Sequence, residues 1–105
     1  MNTKESPVGP MFDPPHAGEY LETVIVDGAG VRSVDLAAAV GVSKSTISRL
    51  LAGKSRLSAD LAVRIELATG VSARLLLKIQ DAHELWHARQ TVETVAVRRL
   101  VLQSA

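Results

Sequence analysis

The sequence predicts an all-α fold of five short helices, and three observations carry that expectation. Hydrophobic residues make up 47% of the 105-residue chain, yet only Phe12, Tyr20 and Trp86 are aromatic, so the core must be built from Leu, Val, Ile and Ala. All four prolines fall within residues 1–15, which leaves the rest of the chain free of helix breakers of that kind. Beyond residue 15, apolar residues recur at spacings of three and four, and the runs are punctuated by serine before and glycine after. A chain of this length fits one small domain.

Residues 1–15 (MNTKESPVGPMFDPP) lack apolar periodicity and are expected to form an extended or disordered leader. A first helix fits HAGEYLETVIV, with Tyr20, Leu21, Val24 and Ile25 at helical spacing, and DGAG ends it. Ser33 is placed to cap a second helix carrying Leu36, Ala37 and Val40, after which Gly41 supplies a left-handed turn. Ser43 caps a third helix with Ile47, Leu50 and Leu51 on one face, stopped by Gly53. Two short helices joined by a tight glycine turn, with Ala37 where they cross, make a helix-turn-helix. Ser58 opens a fourth helix with Leu61, Ala62, Ile65 and Ala68 inward, closed by Gly70, and Ser72 opens a fifth, SARLLLKIQDAHELWHARQ. The extension TVETVAVRRLVLQSA (residues 91–105) reads as a strand or a helix: its valines partly alternate, while Val95, Leu100 and Val101 also fit a helical stripe. The domain proper is therefore expected over residues 16–90.

Net charge is +1, but it is unevenly placed. Residues 1–31 hold Lys4 against Glu5, Asp13, Glu19, Glu22 and Asp27. Residues 32–66 hold Arg32, Lys44, Arg49, Lys54, Arg56 and Arg64 against Asp35, Asp60 and Glu66. A basic middle beneath an acidic start is compatible with a polyanion on one face. Without cysteine there is neither a disulfide framework nor a thiolate metal site, and no apolar run approaches the ~20 residues of a membrane span. A cytoplasmic protein with no membrane contact is expected.

The stretch LAAAVGVSKSTISRLLAGK resembles the Cro/lambda-repressor-type (XRE) DNA-binding domain. HAGEYL is similar to the His-Pro-Gly-Glu opening of HigA-type antitoxins, and LSADLAVRIELATGVSARLLLKIQDAHELWHARQ resembles their fourth and fifth helices, including a Leu-Gln-x-x-x-x-Leu-Trp pattern. The likeness spans residues 16–90 in order. The chain departs from the family at Ala17, where proline is usual, at Ser33, where a glutamine is common, and at Leu76, where tryptophan is frequent.

The resemblance implies a five-helix Cro/lambda-repressor-like domain whose third helix enters the major groove N-terminus first. With Ile47 inward, Ser45 and Arg49 point outward and Thr46 and Ser48 flank them. Lys44, Ser45, Thr46 and Arg49 are the candidate base contacts, since Arg and Lys read guanine through O6 and N7 while hydroxyls bond several bases. Ser33, Ser43, Ser48, Lys54 and Arg56 are the candidate phosphate contacts. Arg64 reads instead as a solvated residue or an ion-pair partner of Asp60 or Glu66. One such domain reads few base pairs, so a homodimer on a palindromic operator is expected, with the fifth helix and residues 91–102 as its surface. A RelE/HigB-like ribonuclease toxin is the partner that the resemblance implies, with the acidic residues 1–31 the candidate surface for it.

HELWH (His83–His87) has the His-Glu…His spacing of a zinc protease. The extended pattern would place glycine at Gln90 and histidine at Glu93, and neither fits. At about 100° per residue with Ile79 at zero, Leu75, Leu76, Ala82 and Trp86 fall within about 60°, and His83 about 40° away. His83 is therefore expected as a ring at the core edge beside Trp86. No metal, cofactor or catalytic residue is assigned, and metal binding by the His83–His87 pair stays open. An autoregulating antitoxin is the leading reading. The alternatives are a repressor of the same fold without a toxin, a metallopeptidase built on HELWH, and a protein-interaction domain. The Lys44–Arg49–Lys54 series speaks against the last.

Overall fold

The computed structural model describes residues 13–103; the expected leader lies mostly outside the described residues. Helices run Ala17–Leu21 (α1), Ser33–Val40 (α2), Lys44–Leu51 (α3), Ala59–Thr69 (α4) and Ala73–Thr91 (α5), with no strand among the described residues. α2 packs on α3 and α4, α4 packs on α5, and α1 closes the domain against α3 and α5. Leu21, Leu36, Ile47, Leu50, Leu57, Ile65 and Leu76 are fully buried between them. Ala17 and Leu76, two of the departures from the family pattern, are both core residues.

The first helix differs from its expected form. α1 covers five residues and continues as a π-helical turn over Glu22–Gly28. The wider turn coincides with Thr23-Val24-Ile25-Val26, four consecutive β-branched residues and the stretch least suited to a tight α-helix. The start of α1 has two local causes. His16 is the N-cap: its Nδ1 accepts the Gly18 N–H at 2.8 Å. Gly18 lies so close to α3 that a Cβ there would fall 1.7 Å from the Leu50 carbonyl oxygen, so no side chain fits unless the helices part.

Serine caps appear where the spacing predicts them. The hydroxyls of Ser43, Ser58 and Ser72 accept the N–H groups of Thr46, Leu61 and Leu75, each at 3.1 Å. Ser33 is the exception. It is the first residue of α2, the N-cap position belongs to Arg32, and the turn is held by an Arg32–Asp35 pair at 3.0 Å. Gly41 (φ 77°) closes α2 with a left-handed cap in which Gly41 and Val42 both bond back to Ala37, at 3.0 and 3.1 Å. Arg64 meets the same helix end from α4: Nη1 donates to the Val40 carbonyl at 3.0 Å while Nε pairs with Asp60 at 2.9 Å. α4 also holds α5, because the Glu66 carboxylate accepts the Ala73 N–H at 3.1 Å.

α5 is rotated from its expected orientation. Its buried residues are Ala73, Leu76 and Gln80, while Leu75 and Ala82 are exposed, which puts the inward direction about 90° beyond Ile79. Ala68, expected inward on α4, is also exposed. The cause of the rotation is a polar one. Gln80, 1% exposed, accepts the Leu57 N–H through Oε1 and donates through Nε2 to the Leu57 carbonyl at 2.6 Å. The loop after α3 crosses the core at Leu57, and its peptide groups have no helical partner there; the Gln80 amide satisfies both.

The extension is neither the strand nor the helix expected. Among the described residues beyond α5, only a 3-10 turn at Thr94–Ala96 is regular. Val95 and Val101 are more than 90% exposed, so no apolar face is covered, and a lone segment without a sheet partner has nothing to hold it as a strand.

Two outcomes are expected. Gln80→Leu keeps the volume but orphans the buried N–H and C=O of Leu57, so chemical denaturation should report a loss of about 2–4 kcal/mol. An unchanged midpoint would mean that the loop finds other partners. The second concerns His16, whose pKa lies below its ordinary 6.5, first through burial and then through the neighbouring His83, against a Ser55 backbone bond and the Glu84 and Glu19 charges. As pH falls through 6.5 the unfolded chain takes up this proton before the native one, so stability is lost from there down through the native value. Protonation also removes the Nδ1 acceptor from the cap. His16→Asn retains an acceptor without the titration and should flatten the slope of stability between pH 7 and 5 in chelator-containing buffer.

Candidate nucleic-acid interface

The helix-turn-helix is assembled from local signals. Gly41 turns the chain, Ser43 starts α3, and Ala37, Val40, Ile47 and Leu50 lock the two helices face to face. With Ile47 and Leu50 completely buried, the opposite face of α3 is left to solvent. Lys44, Ser45, Ser48 and Arg49 lie on it, all exposed, and Thr46 is half-buried at its flank. These residues form one surface: two cations spaced five positions apart with hydroxyls between them and no carboxylate in α3.

The hydroxyls are not independent. Ser43 Oγ lies 2.8 Å from Thr46 Oγ1 and 3.3 Å from Ser45 Oγ, as well as capping the Thr46 amide. Three hydroxyls thus converge on the N-terminus of α3, where the helix dipole is positive and oxygen ligands of an anion are favoured. The Ser43–Thr46 contact was not anticipated from sequence, although the i, i+3 spacing of a serine cap and a threonine is the signal that could have revealed it.

Beyond α3 the loop 52–58 carries Lys54 and Arg56, both exposed. The two differ in their surroundings. Arg56 is engaged by Glu84 of α5 through a two-pronged pair, Nε–Oε2 at 2.8 Å and Nη2–Oε1 at 3.2 Å. With Arg56 61% and Glu84 40% exposed, this pair contributes little to stability, on the order of 0–1 kcal/mol, but it turns the guanidinium toward α5. Ser33 is half-buried at the start of α2, on the other side of the turn. Arg64, as the sequence suggested, belongs to the scaffold through Asp60.

HELWH lies on α5, off the outer face of α3 but beside the loop 52–58, where His83, Glu84 and His87 line one hollow with Lys54 and Arg56. His83 is half-buried, at the core edge as expected, while His87 is exposed. His83 Nδ1 bonds the Pro14 carbonyl at 2.9 Å, and its ring neighbours are His16 at 5.2 Å and His87 at 4.4 Å, while Trp86 meets His87 at 5.0 Å. Glu84, the base of the protease pattern, is held by Arg56. Among the described residues no helix is long and apolar enough to cross a membrane.

Residues 29–76 match the family described as Helix-turn-helix, a span that contains α2, α3, α4 and the start of α5. The chain is 34% identical over 83 residues to antitoxin HigA-1 of Vibrio cholerae, covering 79% of this chain and 78% of that protein. Its structure is similar to that of antitoxin GraA, at 30% identity with a TM-score of 0.78, over 85% of this chain and 99% of the other. It also resembles the Pseudomonas aeruginosa antitoxin HigA solved with the higBA promoter, at 27% identity and a TM-score of 0.69, over 73% and 84% of the two chains. The fold, the helix-turn-helix and these likenesses converge on one assignment: the chain belongs to the HigA-type antitoxins of the XRE, or Cro/lambda-repressor-type, helix-turn-helix family of DNA-binding regulators.

Proposed function

We propose that this protein represses its own operon in the cytoplasm as the DNA-binding antitoxin of a two-component pair, and that its partner is a small RelE/HigB-like ribonuclease. The reading is that of a binding protein rather than an enzyme. One observation carries the DNA half: α3 buries Ile47 and Leu50 completely and leaves Lys44, Ser45 and Arg49 on one exposed, carboxylate-free face. The Pseudomonas relative solved with the higBA promoter supports the same use of the fold.

In this reading Arg49 and Lys44 reach guanine O6 and N7, and Ser45 and Thr46 bond base edges, the Thr46 methyl also meeting thymine. Ser33, Ser43, Ser48 and Lys54 meet phosphates and set the register. Arg56 joins them only by leaving Glu84, so its net share in binding is smaller than that of Lys54. Two copies bind a palindrome, with the exposed Val95, Val97, Leu100, Val101 and Leu102 as the apolar surface available for pairing. The acidic residues 1–31 offer the toxin a charge complement to a basic ribonuclease.

Mutants separate the roles. Arg49→Ala should cost about 1–3 kcal/mol on the preferred operator and flatten the preference among operator variants in gel-shift titrations. Lys54→Ala should weaken all sequences alike and reduce the log–log salt slope by about 0.9 per protomer, with a smaller change for Arg56→Ala. Equal, sequence-independent losses in all three would refute this division of labour.

The toxin half is tested by growth. Expression of the neighbouring short reading frame in a host lacking both genes should arrest growth, and co-expression of this chain should relieve the arrest with a stable complex recovered. Without arrest, under confirmed expression, the protein is a repressor of the same fold that acts alone.

A further inference from the structure

We propose that Asp13, His83 and His87 form a binding site for a divalent transition-metal ion of the zinc class, one that staples the segment before α1 to α5. The three residues come from chain positions 70 apart or more on one side and four apart on the other. Each offers one ligand atom, and these atoms all lie within 4.8 Å of one another. The spacing of the two histidines is the one an α-helix uses to direct two imidazoles to the same ion.

Three features separate this cluster from a chance gathering of polar groups. The first is a distance. His87 Nε2 and Asp13 Oδ1 are 3.4 Å apart. A charge-assisted hydrogen bond between such atoms would be about 2.7–2.9 Å. The edge of a tetrahedron with metal–ligand bonds of about 2.0–2.2 Å is about 3.4 Å. The widest separation in the triad exceeds that edge by at most about 1.4 Å, which a side-chain rotation of the exposed Asp13 and His87 covers.

The second feature is a fixed tautomer. His83 Nδ1 lies 2.9 Å from the Pro14 carbonyl, an acceptor only, so Nδ1 carries the proton and the Nε2 lone pair is left for a metal. A metal-bound histidine is oriented in this way by a carbonyl on its other nitrogen. Here the carbonyl belongs to the residue next to Asp13, so the segment that delivers the carboxylate also orients the imidazole.

The third feature is room. The two histidines line a surface hollow of about 360 Å³ with His16, Lys54 and Glu84, which leaves a fourth coordination position open to water. Gly53, Ser55 and Arg56 complete the lining, and two of the titratable groups around the hollow already have partners. His16 gives Nδ1 to the Gly18 amide and makes a further backbone bond to Ser55, and Glu84 is held by Arg56. Glu84 is paired with Arg56 and is not one of the three ligands, and we take the site as structural: two imidazoles, one carboxylate and water. The inference does not depend on the DNA-binding reading, since none of the three ligands lies in α2 or α3.

The full chain, purified without a polyhistidine tag and stripped with chelator, should take up one equivalent of zinc chloride in calorimetric titration. Cobalt chloride in its place should give the visible absorption of four-coordinate Co²⁺. Zinc should raise the melting temperature of the wild type. His87→Ala and Asp13→Asn change exposed side chains and should fold as the wild type does by circular dichroism. Each should bind zinc at least about tenfold more weakly and lose the thermal shift. His83→Gln keeps a donor for the Pro14 carbonyl while removing the ligand nitrogen, and should behave in the same way. Substoichiometric zinc in the wild type, or equal affinity in the folded His87→Ala and Asp13→Asn variants, would overturn the site.

Discussion

The interaction on which the rest of this structure depends is the pair of hydrogen bonds between the Gln80 side chain and the Leu57 backbone. A loop that crosses a hydrophobic core brings a peptide N–H and C=O into a place where water cannot reach them, and each is costly if left unpaired. Gln80 offers one donor and one acceptor in the geometry of a neighbouring strand and resolves both at once. With that settled, Leu57 can be completely buried, the loop 52–58 has a fixed course, and Lys54 and Arg56 are held at the end of α3. The same bonds set the rotation of α5, and hence which of its side chains face α1.

Around this anchor the helices are finished by short-range chemistry. Ser43, Ser58 and Ser72 start helices and Gly41 and Gly70 end them, each within one turn of the groups it satisfies. Long-range contacts then place the finished helices. Arg64 reaches from α4 to the end of α2, Glu66 from α4 to the start of α5, and Gly18 lets α1 lie directly on the backbone of α3. The helix-turn-helix is thus a rigid unit clamped from α4 and α1, as a helix needs to be if its exposed side chains are to meet a regular groove in register.

Charge is divided along the same lines. Arg32, Arg56 and Arg64 have carboxylate partners in Asp35, Glu84 and Asp60. The outer face of α3 has cations and hydroxyls without an acid in the helix. On the far side of the loop, three histidines and Asp13 gather where the chain enters the domain, so the two polar surfaces flank the same segment and remain separate in composition.

What the sequence determined by itself was whatever depends on neighbours within one helical turn. Helix existence, the serine caps, the left-handed glycines and the exposed face of α3 all follow from spacings of two to four residues, and the resemblance to the family rested on the same strings. HELWH shows the limit of that information. Its angles about α5 could be computed, but not the direction of the core, because that direction is set by Gln80 bonding a loop 23 positions earlier. The Arg56–Glu84 pair spans 28 positions and the His83–Pro14 contact 69. Ser33 and the π-helical turn were local effects: the Arg32–Asp35 pair moves the start of α2 by one residue, and the β-branched run at residues 23–26 coincides with the widened turn. Burial and long-range polar pairing arise only when distant segments meet. Tertiary structure alone therefore decided which way α5 faces, which arginine is occupied, and which residues surround the histidines.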